Sequence, residues 1–224
     1  MNAQLFRDAE GDRVVVRCDD RVSEQALLDL YFLRGDDGYA KRFPSGSVTD
    51  AILARLREVL VPLLRQTARL EPAPWQEALR EAVRRLNDAD IDWWLAGSAA
   101  LAARGLRIEP RDIDLVIHEK DAVRAAAAFA DALIEPAVES DGWISRWFGR
   151  AWLGARVEWV AGVSESVDEP VPTDFGPIAA AALTEIEWAG VPIRVPSIEL
   201  QRGVAARRGL NDRVTLIDSL GGQS

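Results

Sequence analysis

Trp93-Trp94-Leu95-Ala96-Gly97-Ser98, followed at a short interval by Arg111-Asp112-Ile113-Asp114-Leu115-Val116-Ile117, is the stretch on which the reading of this chain turns. Residues 91–96 are apolar enough for a short buried strand, Gly97-Ser98 makes the turn that leaves it, and Ser98 to Arg104 reads as a helix closed by Gly105. In the extended stretch that follows, side chains at i and i+2 point the same way. Asp112 and Asp114 therefore project together, while Ile113, Leu115 and Ile117 fill the opposite face. Two adjacent carboxylates repel unless a cation lies between them. Mg²⁺ (or Mn²⁺) takes hard oxygen ligands, with one or two carboxylates per ion and water or phosphate completing the set. An Asp-x-Asp alone arises readily by chance in a chain with 36 acidic residues, so it is the strand, turn and helix before it that give it weight. Free N–H groups at a helix start favour phosphate, and glycine lets backbone approach without a Cβ in the way. Gly97 and Ser98 are thus candidate phosphate-binding residues just ahead of a candidate metal-binding strand.

Leu95-Ala96-Gly97-Ser98, a helix, then Arg111-Asp112-Ile113-Asp114-Leu115-Val116-Ile117 resembles the signature of the nucleotidyltransferase superfamily with a polymerase-β-like fold, over residues 91 to about 218. Within it the pattern is nearest to small antibiotic nucleotidyltransferases and abortive-infection or toxin-type nucleotidyltransferases. The resemblance implies that Gly97-Ser98 holds a triphosphate, that Asp112 and Asp114 bind the metals, and that a third carboxylate comes from a later strand. Glu158, in Ala155-Arg156-Val157-Glu158-Trp159-Val160, is the candidate; many members carry Asp there, and a solvent-facing place on an edge strand is the alternative. A second matching block is Ile186 to Ser197, two short strands around Ala189-Gly190, after which Ser197 caps a helix. Relatives carry a phosphate-directed Lys on that helix. This chain has none, and Arg202 or Arg208 is the substitute, with a solvated or acid-paired helix face as the alternative.

The expected fold is therefore α/β (α+β), a nucleotidyltransferase-type mixed sheet flanked by helices, with a small β-rich N-terminal element. At 224 residues and 48% hydrophobic, the chain has ample material for a core. Its single cysteine, Cys18, excludes an internal disulfide and a Cys-rich metal site, and packing is its expected role. No signal-peptide pattern and no apolar run of membrane-spanning length is present, so the expectation is a cytoplasmic protein with no membrane partner. A net charge of −9 speaks against indiscriminate nucleic-acid binding, although Arg202, Arg207, Arg208 and Arg213 offer a local patch. The balance leans toward a small cationic or neutral acceptor over RNA.

Along the chain, residues 1–45 read as the β-rich element, with a strand over Arg13 to Cys18 and a hairpin of Leu30 to Leu33 and Tyr39 to Phe43 around Gly35-Asp36-Asp37-Gly38. No catalytic signature is visible in it. Residues 46–90 form a helical bracing segment: a helix over Val48 to Leu70 that Pro62 kinks or splits, and a second after Pro74 that turns Leu79, Val83 and Leu86 to the core. Residues 91–224 make the catalytic domain, with a helix over Glu119 to Leu133 and strands over 143–148 and 151–161. His118 reads as solvent-facing or structural. The eight tryptophans read mainly as packing, with Trp143 and Trp147 as candidates to line an acceptor cleft.

The activity implied is transfer of a nucleoside monophosphate from an NTP to a small-molecule or RNA acceptor, with pyrophosphate leaving. Gly97 and Ser98 hold the β/γ-phosphates, Asp112 and Asp114 bind Mg²⁺, and Glu158 completes a second metal site or takes the acceptor proton. Two alternatives stay open. One is a toxin or phage-defence enzyme acting on tRNA or protein, with an antitoxin-like partner protein or a second copy of the chain. The other is a nucleotide-binding module without transfer.

Overall fold

Strand alternation builds the centre of the protein. In the computed structural model, which describes residues 1–140 and 144–220, β5 (Trp93–Ala96) pairs antiparallel with β6 (Asp112–Ile117), and β6 pairs parallel with β9 (Arg156–Val163). β8 (Ser145–Trp152) and β7 (Leu133–Glu139) complete a five-stranded mixed sheet in the order β5-β6-β9-β8-β7. The register sets Asp112 opposite Arg156 and Asp114 opposite Glu158. Their side chains share one face, and the intervening Ile113, Val157 and Trp159 are fully buried.

Two helices cover the buried face. α3 (Trp75–Asp88) turns Ala78, Leu79, Ala82, Val83 and Leu86 inward at helical spacing, against β6 and β9. A leucine as fully covered as Leu79 or Leu86 contributes about 1.5–3 kcal/mol by its burial. α2 (Asp50–Thr67) begins at Thr49, whose hydroxyl accepts from the Ile52 N–H, and buries residues on two stripes, with Leu53, Leu56, Leu60 and Leu64 beside Ile52, Val59 and Leu63. A helix apolar on more than one side is covered on more than one side; α2 packs against both β7 and the N-terminal sheet. Of the kink or split expected at Pro62, the split does not occur. The helix runs through it because Val59, Leu60, Leu63 and Leu64 are buried on either side, which offsets the roughly 3 kcal/mol that an interior proline costs.

The N-terminal element is a four-stranded sheet, β1 (Asn2–Asp8), β2 (Gly11–Arg17), β3 (Leu33–Gly35) and β4 (Gly38–Phe43), in the order β1-β2-β4-β3, and it includes a helix, α1 (Arg21–Asp29). The hairpin falls at Gly35 to Gly38 as expected, whereas β1 and α1 are additions. β1 has no clean alternation because it is a largely exposed edge strand. α1 announces itself only by its cap, the Asp20 carboxylate accepting from the Ser23 N–H at 2.8 Å. One apolar core runs from Ala3 and Leu27 through α2 to Trp159 and Val195.

The alanine-rich helix is shorter than expected. A 3₁₀ turn over Glu119–Asp121 leads into α5 (Ala122–Ala128), and the chain then returns as β7. Pro136 and two register shifts mark β7 as an edge strand, where proline is tolerated. After β9 come a short helix α6 (Pro177–Ala180) and the hairpin of β10 (Leu183–Trp188) and β11 (Val191–Pro196). Ala189 and Gly190 turn that hairpin at φ +51° and +82°, as a two-residue turn requires. α7 (Ile198–Arg207), capped by the Ser197 hydroxyl on the Leu200 N–H, and α8 (Asn211–Leu220) close the described chain. Among the described residues no helix is long and apolar enough to cross a membrane.

Candidate active site

The chain leaves β5 through Gly97, in the left-handed region at φ +64°, into the short helix α4 (Gly97–Ala103). A Cβ on Gly97 would come within 2.2 Å of Asp114 Oδ2, so glycine is what allows the turn to pass over that carboxylate. Gly97→Ala should therefore cost about 1–3 kcal/mol or push Asp114 from its place. Thermal unfolding compared with wild type checks this; an unchanged melting temperature would mean that the turn does not confine Asp114. The Gly97 N–H donates to Asp174 Oδ2 at 3.2 Å, and Gln201 Nε2 donates to the Gly97 carbonyl at 3.3 Å. α7 and the loop before α6 are thereby tied to the turn.

Gly97, Ser98, Asp112, Asp114, Glu158 and Arg208 all line one cleft of about 400 Å³. Asp114 sits on its floor. Burial there, together with the neighbouring Asp112 and Glu158 carboxylates, pushes its carboxyl well above the usual range. Asp112 Oδ2 accepts from Arg156 Nη2. Glu158 accepts from Arg150 Nε at 2.7 Å, and Arg156 Nε lies 3.2 Å from the same Oε1. Burial alone would raise the Glu158 carboxyl, but Arg150 and Arg156 outweigh it and hold the group at about 2. The two buried arginines thus neutralise the outer carboxylates and leave Asp114 without a counter-charge of its own.

Arg202 is not in the cleft. Its Nε and Nη2 lie 2.6 Å and 2.9 Å from the two oxygens of Asp218, across α7 and α8. Arg207 donates to the Pro172 carbonyl. Arg208 instead faces Arg69, Arg111 and Arg213, all lining the cleft. Burial and the charges of Arg208, Arg69 and Arg111 lower the affinity of Arg213 for its proton. None of these four forms a salt bridge among the described residues. The buried Asp174 carboxylate acts on Arg208 and Arg213 from beyond salt-bridge distance, and four guanidiniums in one cleft suit a polyanion.

Trp147 does not line the cleft, although Trp159 does. On β8 it is Phe148 that faces the cleft, while the adjacent Trp147 lies with His118 at a separate surface. Trp143 lies outside the described residues. His118 is exposed, and its Nδ1 accepts from the Lys120 N–H at 3.3 Å. Asp29 and Tyr31, from the N-terminal element, also border the cleft. Sequence reasoning missed them, and it missed Asp174 and Arg150, which arrive through tertiary pairing. Arg156 was visible, since it stands two residues before Glu158 on the same strand face.

No family model matches the sequence, and no curated protein matches it either. Solved structures do resemble the fold. A Thermotoga maritima protein assigned to the nucleotidyltransferases is 21% identical, with 69% of this chain and 97% of that chain covered at a TM-score of 0.49. ANT(2")-Ia, solved with adenylyl-2"-tobramycin, is 14% identical over 66% of this chain and 91% of its own, at a TM-score of 0.45. LnuA, a lincosamide antibiotic adenylyltransferase solved with lincomycin, is 15% identical over 58% and 84%, at 0.42. The likeness is distant, and what the cleft can do rests on its own residues.

Among the described residues no group of three acidic, histidine or cysteine side chains forms a ready-made metal cage. The donor set still fits a hard divalent cation. Asp112 Oδ1 and both Asp114 oxygens have no hydrogen-bond donor among the described residues, they face the cleft, and they crowd one another electrostatically.

Proposed function

We propose that this chain transfers a nucleoside monophosphate from an NTP to an acceptor, releasing pyrophosphate, with Mg²⁺ or Mn²⁺ held by Asp112 and Asp114. One observation carries the reading: carboxylate oxygens without a hydrogen-bond donor and a cluster of arginines that form no salt bridge among the described residues line the same cleft. A cation site beside a polyanion site is what a metal-triphosphate needs. When bound, the metal would offset charge on the phosphate oxygens at which exchange occurs. Arg69, Arg111, Arg208 and Arg213 would take the triphosphate tail, and Ser98 would bind phosphate at the turn. The Gly97 amide is already engaged by Asp174, so Gly97 would act by making room for Asp114. Glu158 Oε1 serves both arginines, which leaves Oε2 as its ligand atom. The acceptor would enter on the β8 side, between Phe148 and Tyr31. Its class is open: a cationic small molecule, RNA and a protein are all compatible with an acidic chain that gathers arginines at one cleft.

The arginines that neutralise Asp112 and Glu158 favour a second reading, a nucleotide-binding module without transfer. Binding separates the proposal from an unrelated function. An NTP with a non-cleavable α,β-bond, at about 100 times its Kd with Mg²⁺, should stabilise the protein by about 2.7 kcal/mol and raise its melting temperature. Removing Mg²⁺ with a chelator should abolish the shift. No stabilisation by any NTP would sink both readings, whereas stabilisation without pyrophosphate release in the presence of tRNA, protein and aminoglycoside acceptors would favour the second.

A further inference from the structure

The N-terminal element has no catalytic motif, yet it reaches the proposed site through a row of side chains that alternate in charge. Lys41 on β4 lies 2.6 Å from Glu135 Oε2 on β7. The other oxygen of Glu135 accepts from Arg150 Nη1 on β8, and Arg150 Nε donates to Glu158 on β9 at 2.7 Å. Arg156 then stands between Glu158 and Asp112. Glu135, Arg150 and Arg156 are 3%, 0% and 7% exposed. Lys41 is enclosed by the rings of Tyr31, Phe43 and Phe148, 5.5–5.7 Å from its Nζ. Lys41 Nζ and Arg150 Nη1 both donate to the Leu30 carbonyl at 3.3 Å, at the end of α1 and between cleft residues Asp29 and Tyr31.

A buried row of charges is a poor way to gain stability, since well-packed apolar residues of similar volume are often as stable or more so. What such a row does supply is direction. Each ion fixes the next, and removing one end leaves an uncompensated charge that pulls its neighbour away. Three cations face three anions here, with no spare partner in the row. Without the Lys41 ammonium, Arg150 would be drawn toward Glu135 and away from Glu158, and Arg156 would then serve Glu158 at the expense of Asp112.

We infer that Lys41 and Glu135 are positioning residues, and that the N-terminal element orients the Glu158 and Asp112 carboxylates through Arg150 and Arg156. The functional consequence rests on the reading of those carboxylates as the transfer site; the coupling itself does not. Full-length protein labelled with ¹⁵N-arginine tests the coupling directly. In Lys41→Met, the Arg156 Nε–H signal should shift and its hydrogen exchange should quicken by about tenfold, a size typical of couplings of 0.5–2 kcal/mol, although Lys41 does not touch Arg156. Lys41→Arg should restore it. If Lys41→Met does not fold, the isosteric Glu135→Gln should shift the same Arg156 signal in the opposite direction, because Arg150 is then released toward Glu158 and Arg156 toward Asp112. Changes confined to Arg150, with Arg156 unmoved, would overturn the inference.

Pyrophosphate release from NTP supplies the functional arm. Lys41→Met should lower kcat by about tenfold, with the KM for NTP within about twofold of wild type, because the cleft arginines are untouched; Lys41→Arg should recover kcat. A rise in KM with kcat intact would contradict the positioning role. If Arg156 responds but Asp112→Asn leaves transfer intact, the transfer reading fails and the coupling stands. If transfer needs Asp112 but Arg156 does not respond, only the coupling fails.

Discussion

Asp114→Asn is expected to abolish nucleotidyl transfer and, in the same protein freed of metal, to raise the melting temperature. Both effects come from one cause. Asp114 is confined on the cleft floor beside Asp112 and Glu158, beneath a turn that leaves no room to move away, so its charge is unfavourable until a cation is supplied. An amide of the same shape removes the repulsion, and a gain of about 1–2 kcal/mol is typical of relieving a strained functional group. For a chain of this size that corresponds to about 2–8 °C. A carboxyl whose folded pKa is raised contributes its full stability below the unfolded pKa of about 3.9, and that stability is lost as pH rises toward the folded pKa. The advantage of Asp114→Asn should therefore be present at neutral pH and vanish by about pH 3.5. Transfer should fall by about 10³-fold or more, the scale of losing several kcal/mol of charge stabilisation. Calorimetry of metal-free protein across pH, with turnover measured alongside, checks both halves. A variant that is destabilised at neutral pH would show that Asp114 is a structural anion and not a metal ligand.

The second large effect is expected from the arginine cluster. Arg208→Ala combined with Arg213→Ala should weaken NTP binding by about 10²–10⁴-fold, given about 1.5–3 kcal/mol for each of two hydrogen bonds to a charged group. The free protein should lose little stability, because the repulsion of half-buried Arg213 by Arg208, Arg69 and Arg111 is relieved and offsets the attraction to Asp174 that is lost. The remaining affinity should also depend less on salt, since fewer charges contribute to it. Arg202→Ala is the matched control. Its partner is Asp218 on the outer surface, an exposed pair worth about 0–1 kcal/mol, and NTP affinity should not change. Equal losses from Arg202→Ala and from the double variant would place the phosphate site elsewhere.

The parts of this protein that were legible in the sequence are those whose causes are local. The strand-turn-helix at Trp93 to Ala103, the alternation over Asp112 to Ile117 and the Ser197 cap each follow from residues within a few positions of one another. The same i, i+2 rule that joined Asp112 to Asp114 would have joined Arg156 to Glu158, so the neutralising arginine could have been foreseen. Its partner Arg150 could not, because it meets Glu158 by lying opposite it on β8. A shift of one residue decides that Phe148 and not Trp147 faces the cleft, and nothing in the sequence fixes that register. Arg202 and Arg208 were indistinguishable by sequence. α8, with Asp218, separates them by pairing with the first.

The central claim is that Asp112 and Asp114 hold the metal that makes this cleft a transferase. The most direct measurement is transfer of label from α-³²P-NTP, with Mg²⁺, to a panel of total tRNA, proteins, aminoglycosides and lincosamides, using wild type beside Asp112→Asn and Asp114→Asn. The expected result is a labelled acceptor and pyrophosphate from the wild type only, with both variants folded and inactive. Label transfer that persists in either variant would contradict the claim.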